Sequence, residues 1–576
     1  MFLKIYIFII CLFLHFKKRL KVFFDYTNFI QKEFSLYSIF FNLFSNSKKK
    51  LFKSENLNSF LSKNKKYWSN KKFTRTRANK KILIESFVNQ PAYTMSNAII
   101  GLYLKKIFNY ELIGIIRSGD YVAKSIFQSY GINKIINLKS FNLFQRIRTI
   151  IIALRLIKNY QKIEDFCKIK FNGMSVGLSA YDSYIRYTGT PSIDYINCEL
   201  VYFLSNSIGS VIFFEDLIKK NKITYSVQAE TAFSPSNNLF QACLKNKIKV
   251  FSRLGTSSFS IRIYKKWKER FSYRANFAQN IFNKIYLKHK KKCIKRYDRL
   301  INEEKKIGKF GYDVTVSDNI IKKKEIDKIR LKKLFNWDRK KIGVIFLHHF
   351  IDGNFHCGPR KSFRDNYSWA RFTLNLLPKI KNVNWIIKPH PAQYVYKTKD
   401  NLEREIDNLV DKYKNIRLFP KYYHQSSLLK IADYAITSHG TVAVEYLAHG
   451  INSVYCDNSF YSNLNFMKMI KGKSNYFKSL SNLKNLKKPN RDLIDKCKTF
   501  LYIRHHLVKS DCSLLADHSI TRNLDRNTFW KKNITKLRKF KFENDELYQM
   551  FIRQLELDLE HTINFNKLKM RKHDVL

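Results

Sequence analysis

The sequence predicts an α/β protein with two domains, each built on a mainly parallel β-sheet. Short apolar runs, such as residues 385–387, alternate with helical patterns from Lys81 onward and again from Gly343. Alternation of this kind implies parallel strands joined by right-handed crossovers. A Lys-rich, largely helical stretch over residues 261–335 separates the two patterns, and we place the domain boundary there, near Asn336.

Composition narrows the class of protein further. Hydrophobic residues make up 45% of the 576 residues, which excludes a disordered chain. The net charge is +62, from 107 Lys and Arg against 45 Asp and Glu. Such a charge fits coding bias, an anionic membrane surface, an acidic polymer or nucleic acid, but no nucleic-acid-binding motif accompanies it. The nine Cys form no Cys-x-x-Cys pair, which argues against a zinc ribbon and fits a reducing compartment.

The first eighty residues predict a membrane-associating segment and a linker. Residues 2–16 are nearly all apolar, and Lys17, Lys18 and Arg19 follow them. The run is shorter than the roughly 20 residues that a spanning helix needs, and it lacks the charge order and cleavage site of a signal peptide. We read residues 2–16 as an interfacial anchor and residues 20–47 as an amphipathic surface helix, with packing on the protein as the alternative.

Residues that suit phosphate binding follow the predicted strand 385–387. Pro389 and Pro391 end this strand, so His390 lies at its carboxyl end on a restricted backbone. Ligands of open α/β sheets bind at this edge. An imidazole there can donate a hydrogen bond to a phosphate or protonate a leaving phosphate; the alternative is a histidine that only packs against the prolines.

A second candidate loop follows the predicted strand 433–437. Ser438, His439, Gly440 and Thr441 lead into a predicted helix, whose N-terminal N–H groups favour an anion. Ser438 or Thr441 is expected to cap this helix, and Gly450 to end it. Glu445 lies one turn beyond Thr441 on the same face and can accept ribose hydroxyls. The alternatives are simple helix capping and an ordinary surface charge.

Several common motifs are absent from the sequence. Gly472-Lys473-Ser474 lacks the upstream glycine of a phosphate-binding Walker loop, and there is no Gly-x-Gly-x-x-Gly run. No His-Glu-x-x-His motif appears, and the closely spaced carboxylates lie in polar helical patterns. We therefore expect no metal site and no cofactor.

The motifs Lys-Pro-His-Pro and Ser-His-Gly-Thr-x-x-x-Glu-Tyr-x-x-x-Gly together resemble bacterial capsule polysaccharide glycosyltransferases. Residues 352–369 and Trp385 strengthen the likeness, which covers about residues 340–460. It implies the GT-B fold, two Rossmann-like domains facing a cleft, similar to that of Kdo-, sialyl- and polysialyltransferases. It also implies a nucleotide-sugar co-substrate, with a CMP-sugar favoured. The implied donor-binding residues are Lys388, His390, Ser438, His439, Gly440, Thr441 and Glu445.

The sequence pattern divides the chain into four parts, and the resemblance identifies the middle two as an acceptor domain and a donor domain. We expect a membrane-associating segment over residues 1–80, an acceptor domain over 81–335, a donor domain over 336–527 and a helical tail over 528–576. An inverting transfer needs a base to take the acceptor's proton, and the acceptor domain is expected to supply it. Asp182, expected in a polar loop, is the first choice, and Glu230, at the end of a predicted strand over 224–228, is the second. Glu215 and Asp216, at the end of a predicted strand over 211–214, are also considered.

The predicted function is metal-independent transfer of a sugar to a surface polysaccharide or its lipid-linked precursor. The predicted location is the cytoplasmic face of the inner membrane, either peripheral or anchored through the N-terminal segment. The alternatives are a CDP-glycerol-type polyol-phosphate transferase, a sugar-nucleotide epimerase and a basic nucleic-acid-binding protein. No nucleic-acid partner is expected.

Overall fold

Two mainly parallel β-sheets, each central to its own unit, organise the computed structural model. It describes residues 5–14, 55–71, 77–88, 90–138, 141–158, 160, 162–255, 258–306, 323–390, 398–517 and 526–575. Unit 1 comprises the described residues of 1–184, 194–270 and 510–562, and unit 2 those of 185–193, 271–509 and 563–576. The predicted α/β class with two mainly parallel sheets is confirmed.

The sheet of unit 1 has the order β12-β6-β5-β4-β1-β2-β3. The five strands from β5 to β3 run parallel, whereas β6 is antiparallel to both β5 and β12. The strands are β1 (Arg77–Ser86), β2 (Tyr110–Arg117), β3 (Lys134–Leu138), β4 (Ile223–Gln228), β5 (Lys249–Gly255), β6 (Ser258–Tyr264) and β12 (Ser510–Asp511).

The helices of unit 1 bury apolar faces against this sheet and against one another. The last residues of α7 belong to unit 2. The helices are α1 (Ile5–Leu14), α2 (Glu55–Ser69), α3 (Pro91–Phe108), α4 (Tyr121–Ser129), α5 (Leu143–Leu156), α6 (Ile163–Phe166), α7 (Val176–Thr188), α8 (Cys198–Asn221), α9 (Ser236–Lys245), α18 (Arg526–Lys539) and α19 (Glu546–Glu556).

The structure differs from the predicted boundaries at both ends of the chain. Helix α2, expected in a linker, and helices α18 and α19, expected in a separate tail, pack in the core of unit 1. The rings of Phe60 and Trp530 lie 5.3 Å apart, and Tyr103 donates a hydrogen bond of 2.7 Å to Asp545. The apolar faces of these helices stabilise the unit by burial, so they are not independent segments. The predictions for residues 17–19 and 20–47 lie outside the described residues.

One element of the predicted acceptor domain is wrong. The apolar run 211–214 is predicted as a strand, but it lies inside the long helix α8. Short apolar runs do not distinguish a strand from a buried helix, which explains the error. By length and composition α8 is apolar enough to cross a membrane, but its apolar window is mostly buried inside unit 1.

The sheet of unit 2 has five parallel strands in the order β11-β10-β7-β8-β9. These are β7 (Lys341–Phe346), β8 (Val383–Lys388), β9 (Ile416–Leu418), β10 (Tyr434–Ile436) and β11 (Asn452–Val454). The strand predicted over residues 385–387 is confirmed as part of β8, which is buried. Gly450, predicted to end the following helix, lies just after its last residue and has a positive φ.

Unit 2 begins well before the predicted boundary at Asn336, because the Lys-rich helices α10 and α11 belong to it. Its helices are α10 (Gln279–Lys306), α11 (Lys328–Phe335), α12 (Asn366–Leu376), α13 (Leu402–Lys412), α14 (Leu428–Ile431), α15 (Val442–Ala448), α16 (Lys473–Ser481), α17 (Arg491–Tyr502) and α20 (Phe565–Leu568). A single π-helical turn (Ile503–Leu507) continues α17.

The two units share one strand order. Each chain segment begins on a central strand, β1 or β7, extends to one side through two strands, and then crosses to the other side at β4 or β10. Open α/β sheets bind ligands at the carboxyl ends of the strands where the order reverses. In unit 1 this point lies between β1 and β4, and in unit 2 between β7 and β10.

Candidate functional site

A cavity of about 390 Å³ lies in unit 2 at the carboxyl ends of β7, β8 and β10. Its location is the one that the strand order of unit 2 favours for a ligand. Side chains from the loops after these three strands form most of its wall, and α15 and the π-helical turn complete it. The residues that line it include Tyr273, His348, His349, Asp352, His356, Lys388, His390, His439, Gly440, Thr441, Glu445, Phe460 and Arg504.

The structure brings together most of the donor-binding residues that the sequence suggested. Six of them line the cavity, which are Lys388, His390, His439, Gly440, Thr441 and Glu445. Ser438 does not line it and is fully buried beneath the loop. The expected side-chain cap on α15 is absent at Thr441, which occupies the N-cap position without a side-chain hydrogen bond. Pro391, the second proline of the motif, lies outside the described residues.

His390 lies two residues beyond the end of β8 and is neutral at neutral pH. Burial lowers the pKa of His390 to about 4, and the nearby His349 and Lys388 contribute to the shift. The rings of His349 and His390 lie 6.2 Å apart in an edge-to-face arrangement. At neutral pH this imidazole carries one N–H and no charge, so it is suited to donate a single hydrogen bond.

His348 is a cavity residue that the sequence reading missed. The backbone N–H of His439 donates to its Nε2 at 3.3 Å, and Thr437 Oγ1 lies 2.8 Å from the same nitrogen. Because a backbone N–H can only donate, Nε2 is unprotonated and the proton lies on Nδ1. Burial lowers the pKa of His348 well below its usual range, with contributions from Arg360 and His390, so the ring is neutral.

His439 is fixed by a different partner. Its Nε2 lies 3.0 Å from Asn366 Oδ1, and Asn366 Nδ2 donates to the His349 carbonyl at 3.1 Å. Since the amide oxygen only accepts, His439 donates through Nε2 and keeps Nδ1 as an acceptor. Its ring stacks on His348 with centroids 4.3 Å apart, and burial holds its pKa well below the usual range. His439 therefore has an acceptor on Nδ1, whereas His348 has an N–H on Nδ1.

A buried ion pair supports this loop from below. Arg360 Nη2 lies 2.9 Å from Asp457 Oδ2, with 4% and 0% of the two side chains exposed. Arg360 also donates to Ser438 Oγ and, at 2.6 Å, to Asn366 Oδ1. Asp457 accepts the backbone N–H groups of Lys361 and Ser362. Ser438 thus joins the scaffold of the loop, and Asn366 links that scaffold to His439.

The carboxylates proposed as bases lie in unit 1. Asp182 is buried on α7, a helix and not the loop expected for it. Glu230 lies two residues beyond β4, at a strand end as predicted, and its Oε1 accepts the N–H groups of Thr231 and Ala232. Glu215 lies on α8 and pairs with Lys245 at 2.8 Å, so the strand end expected there does not exist.

The strand-end position of unit 1 holds a further buried carboxylate, Glu85. It accepts hydrogen bonds from the backbone N–H groups of Phe87 at 2.7 Å and Ala229 at 3.1 Å. Burial raises the pKa of Glu85 to about 7, against the opposing effect of these hydrogen bonds. The sequence reading also missed this residue, although its place at the end of β1 was a usable signal.

No group of three or more His, Cys, Asp or Glu residues in the described part of the chain is arranged to hold a metal ion. The cavity contains five imidazoles, but their nitrogens do not converge on one point. Its carboxylates are Asp352, which lies 3.7 Å from Arg186, and Glu445.

Comparisons with known proteins give similarity at the level of solved structures. No family model and no curated protein matches the chain. The chain is similar to the Thermosulfurimonas dismutans KpsC β-Kdo 2,4 transferase, at 9% identity over 48% of this chain and 79% of that one, with a TM-score of 0.29. A Rickettsia africae glycosyltransferase matches at 12% identity over 81% and 100%, with a TM-score of 0.23.

The Neisseria meningitidis UDP-GlcNAc 2-epimerase, solved with UDP-GlcNAc, matches at 11% identity over 74% of this chain and 99% of that one, with a TM-score of 0.22. TM-scores this low do not separate transferases from epimerases. The function of this chain is therefore argued from its own site.

Proposed function

We propose that the protein is a glycosyltransferase that moves a sugar from a nucleotide-sugar to a surface polysaccharide or its lipid-linked precursor. The favoured donor is a CMP-sugar. The observation that carries the proposal is the cavity of unit 2, which gathers the residues of both sequence motifs at the carboxyl ends of β7, β8 and β10. These are the residues through which the chain resembles the capsule glycosyltransferases.

The chemistry of the cavity suits a nucleotide-sugar. His390 and His348 are neutral donors, and Lys388 and Arg504 supply positive charge beside them. Preorganised donors of this kind stabilise the charge that develops on a leaving phosphate. Glu445 on α15, which also lines the cavity, is proposed to accept the hydroxyl groups of a ribose. Because protein cations and donors hold the phosphate, we propose that transfer needs no metal ion.

The transfer is proposed to invert the anomeric centre. A base takes the proton of the acceptor hydroxyl as that oxygen attacks the sugar, and the nucleotide leaves with the bonding electrons. Asp182 and Glu230 remain the candidates for this base. His390 acts in the same step by donating a hydrogen bond to the departing phosphate.

The test combines a donor screen with one substitution. We expect thermal stabilisation by CMP-, UDP- or GDP-sugars, since a ligand that binds only the folded state raises its apparent stability. With the best donor, His390→Ala should lower transfer by about a hundredfold or more. The control is Tyr422→Ala, because Tyr422 is an exposed aromatic residue of unit 2 that does not line the cavity.

Several outcomes of this test would contradict the proposal. A folded His390→Ala protein with full turnover would exclude the role of His390. Loss of activity in a chelator, restored by Mg²⁺ or Mn²⁺, would exclude metal independence. Product analysis separates the rivals: transfer of glycerol phosphate identifies a polyol-phosphate transferase, and conversion of the free nucleotide-sugar without an acceptor identifies an epimerase.

We also propose that the enzyme works at the cytoplasmic face of the inner membrane. Helix α1 supports this proposal, since Ile5, Ile9 and Phe13 recur every four residues along one exposed face. Cys11 faces the opposite way, is fully buried and donates to the Cys198 carbonyl at 3.4 Å. An exposed apolar face backed by a strongly basic chain fits an anionic bilayer surface.

Vesicle flotation tests this location. Full-length protein should float with vesicles that contain anionic lipid, and Ile9→Glu combined with Phe13→Glu should abolish flotation. Substituting Tyr422, an exposed aromatic residue of unit 2, by Glu gives the matched control. Equal distribution of the wild type and the double variant would rule out docking through α1.

A further inference from the structure

Arg504 provides a positive charge in the cavity that neither sequence motif contains. It lines the cavity, is 6% exposed, and its guanidinium lies 3.8 Å from the centre of the Phe460 ring. Phe460 also lines the cavity, so the stack holds the guanidinium flat against the wall. A stacked, planar guanidinium is preorganised to bind an oxyanion through two parallel hydrogen bonds.

Arg504 supplies a large share of the positive charge in the cavity. The pKa values of His348, His390 and His439 are all lowered, chiefly by burial, so these imidazoles contribute no charge at neutral pH. Among the residues that line the cavity, the lysine and arginine side chains are Lys388 and Arg504. An anionic ligand therefore finds its charge complement in these two side chains and not in these three histidines.

An unusual backbone turn presents Arg504. After α17 ends at Tyr502, the chain continues as a π-helical turn, in which the Val508 N–H bonds to the Ile503 carbonyl at 3.1 Å. Such a turn inserts one residue into a helix and redirects the side chains that follow. Arg504 is the second residue of this turn. A regular continuation of α17 would place it differently around the helix axis.

The C-terminal segment, residues 563–575, supports the π-helical turn. Lys567 Nζ donates to the carbonyls of His506 and Lys509, both at 2.8 Å, and the Asn564 N–H donates to the Leu507 carbonyl at 2.8 Å. The segment is itself held on α10, where His289 Nε2 lies 3.1 Å from Asp574 Oδ2. It thus satisfies carbonyls that helical hydrogen bonds leave unpaired at the end of a helix.

We propose that Arg504, presented by this π-helical turn and supported by Lys567, binds the phosphate of the ligand in the cavity of unit 2. The inference deepens the proposed function and rests on it for the identity of the ligand. It assigns the C-terminal segment a positioning role at that site. Arg504 is the ligand-binding residue, and Lys567 acts through the backbone that carries it.

Calorimetric titration with cytidine, CMP, CDP and inorganic pyrophosphate tests the proposal. Arg504→Gln should weaken CMP, CDP and pyrophosphate by about tenfold to a hundredfold, the usual range for a charge-assisted hydrogen bond. Cytidine, which lacks phosphate, should bind the variant as it binds the wild type. Arg504→Lys keeps the positive charge but not the planar guanidinium. Its affinity for CMP, CDP and pyrophosphate should lie between those of the wild type and of Arg504→Gln. Arg491→Gln is the matched control, since that side chain is 75% exposed.

Lys567→Met supplies the second variant and guards against a folding artefact. It should weaken the binding of CMP and pyrophosphate by less than Arg504→Gln does, and it should leave cytidine binding unchanged. A merely structural role for Lys567 would instead lower the melting temperature and weaken all ligands alike, and that result would overturn its positioning role.

The outcomes separate this inference from the proposed function. Unchanged pyrophosphate and CMP binding by folded Arg504→Gln overturns the phosphate role, whatever the transfer assay shows. Pyrophosphate binding that depends on Arg504, in a protein that binds no nucleotide, supports the anion site and contradicts the nucleotide-sugar proposal. A wild-type protein that binds neither pyrophosphate nor any nucleotide overturns both.

Discussion

The two units of this protein use one strand order but fill the equivalent position in opposite ways. In unit 1 the ends of β1 and β4 are joined by Glu85, whose carboxylate accepts the N–H of Ala229 from the neighbouring strand. In unit 2 the ends of β7 and β10 frame an open cavity lined by imidazoles, of which those of His348, His390 and His439 have pKa values lowered by burial. The fold provides the position, and the residues after the strands decide whether it is closed by the protein or left for a ligand.

The comparison has an electrostatic side as well. Burial favours the uncharged form of any ionisable group, so it raises the pKa of Glu85 and lowers that of His390. The raised pKa of Glu85 contributes to the free energy of unfolding. This contribution is complete below about pH 4.5 and is lost as the pH rises through about 7. The corresponding contribution of His390 is complete above about pH 6.5 and is lost as the pH falls through about 4. The two units should therefore respond to pH in opposite directions.

The largest expected effect concerns the scaffold beneath the open cavity. Asp457→Asn removes one partner of the buried pair with Arg360 and leaves an uncompensated charge, which costs roughly 3–5 kcal/mol. Amide hydrogen exchange should show faster opening of β10 and β11 in unit 2, with β1 in unit 1 unchanged. Asp407→Asn, at an exposed position on α13, is the control. Equal protection of β10 in the wild type and in Asp457→Asn would show that the pair does not support the loop.

A second prediction addresses the closed position of unit 1. Glu85→Gln places an amide NH₂ against one of the backbone N–H groups, so the variant should be less stable than the wild type at pH 5. As the pH rises to 8 the wild type loses about 3 kcal/mol through ionisation of Glu85, and the variant does not, so the gap should narrow. Hydrogen exchange of β1 and β4 at matched pH measures both proteins. A gap independent of pH would mean that Glu85 titrates normally.

A third prediction concerns His390 in unit 2, whose effect on stability should have the opposite pH dependence. His390→Gln removes an imidazole that resists protonation. As the pH falls from 6.5 to 4 the wild type should therefore lose stability relative to the variant, by an amount similar to that for Glu85. Hydrogen exchange of β8 reports the change. A difference that grows instead as the pH rises would contradict the neutral imidazole assigned to His390.

Sequence reasoning predicted the parts of this comparison that depend on local pattern. Strand β8 and the motif after it could be read because a short apolar run ends at Pro389, and the loop at His439 because a glycine and a helix pattern follow it. The same reasoning applied to Gly343 onward would have found His348, which follows β7 as His390 follows β8. Glu85 was accessible in the same way at the end of β1.

Other parts of the site depend on contacts between residues far apart in sequence. Arg360 and Asp457 are separated by 97 positions, and each alone looks like a surface charge. Arg504 reaches the cavity through a π-helical turn whose carbonyls are paired by Lys567, and neither residue has a local signature. Helices α2, α18 and α19 were misassigned for the same reason, because only tertiary packing shows that they share one core.

The smallest expected effect concerns Gly440, which packs closely against Thr437 and His348 beside the cavity of unit 2. A Cβ at Gly440 would lie 2.9 Å from Thr437 Oγ1 and 3.3 Å from His348 Cε1, so Gly440→Ala must displace both side chains by a few tenths of an ångström. The cost in stability should be only about 1 kcal/mol, at the low end for overpacking, since both groups adjoin a cavity.

Ligand binding should be more sensitive to Gly440→Ala than stability is. Gly440 donates its N–H to Thr437 Oγ1 at 3.2 Å, and that hydroxyl lies 2.8 Å from His348 Nε2. Displacing Thr437 and His348 should therefore reorient the His348 ring, which lines the cavity. We expect CMP to bind about tenfold more weakly, a loss of about 1.4 kcal/mol, with a melting temperature lowered by only about 2 °C. Unchanged CMP affinity in Gly440→Ala would show that His348 does not contact the phosphate, leaving His390, Lys388 and Arg504 to bind it.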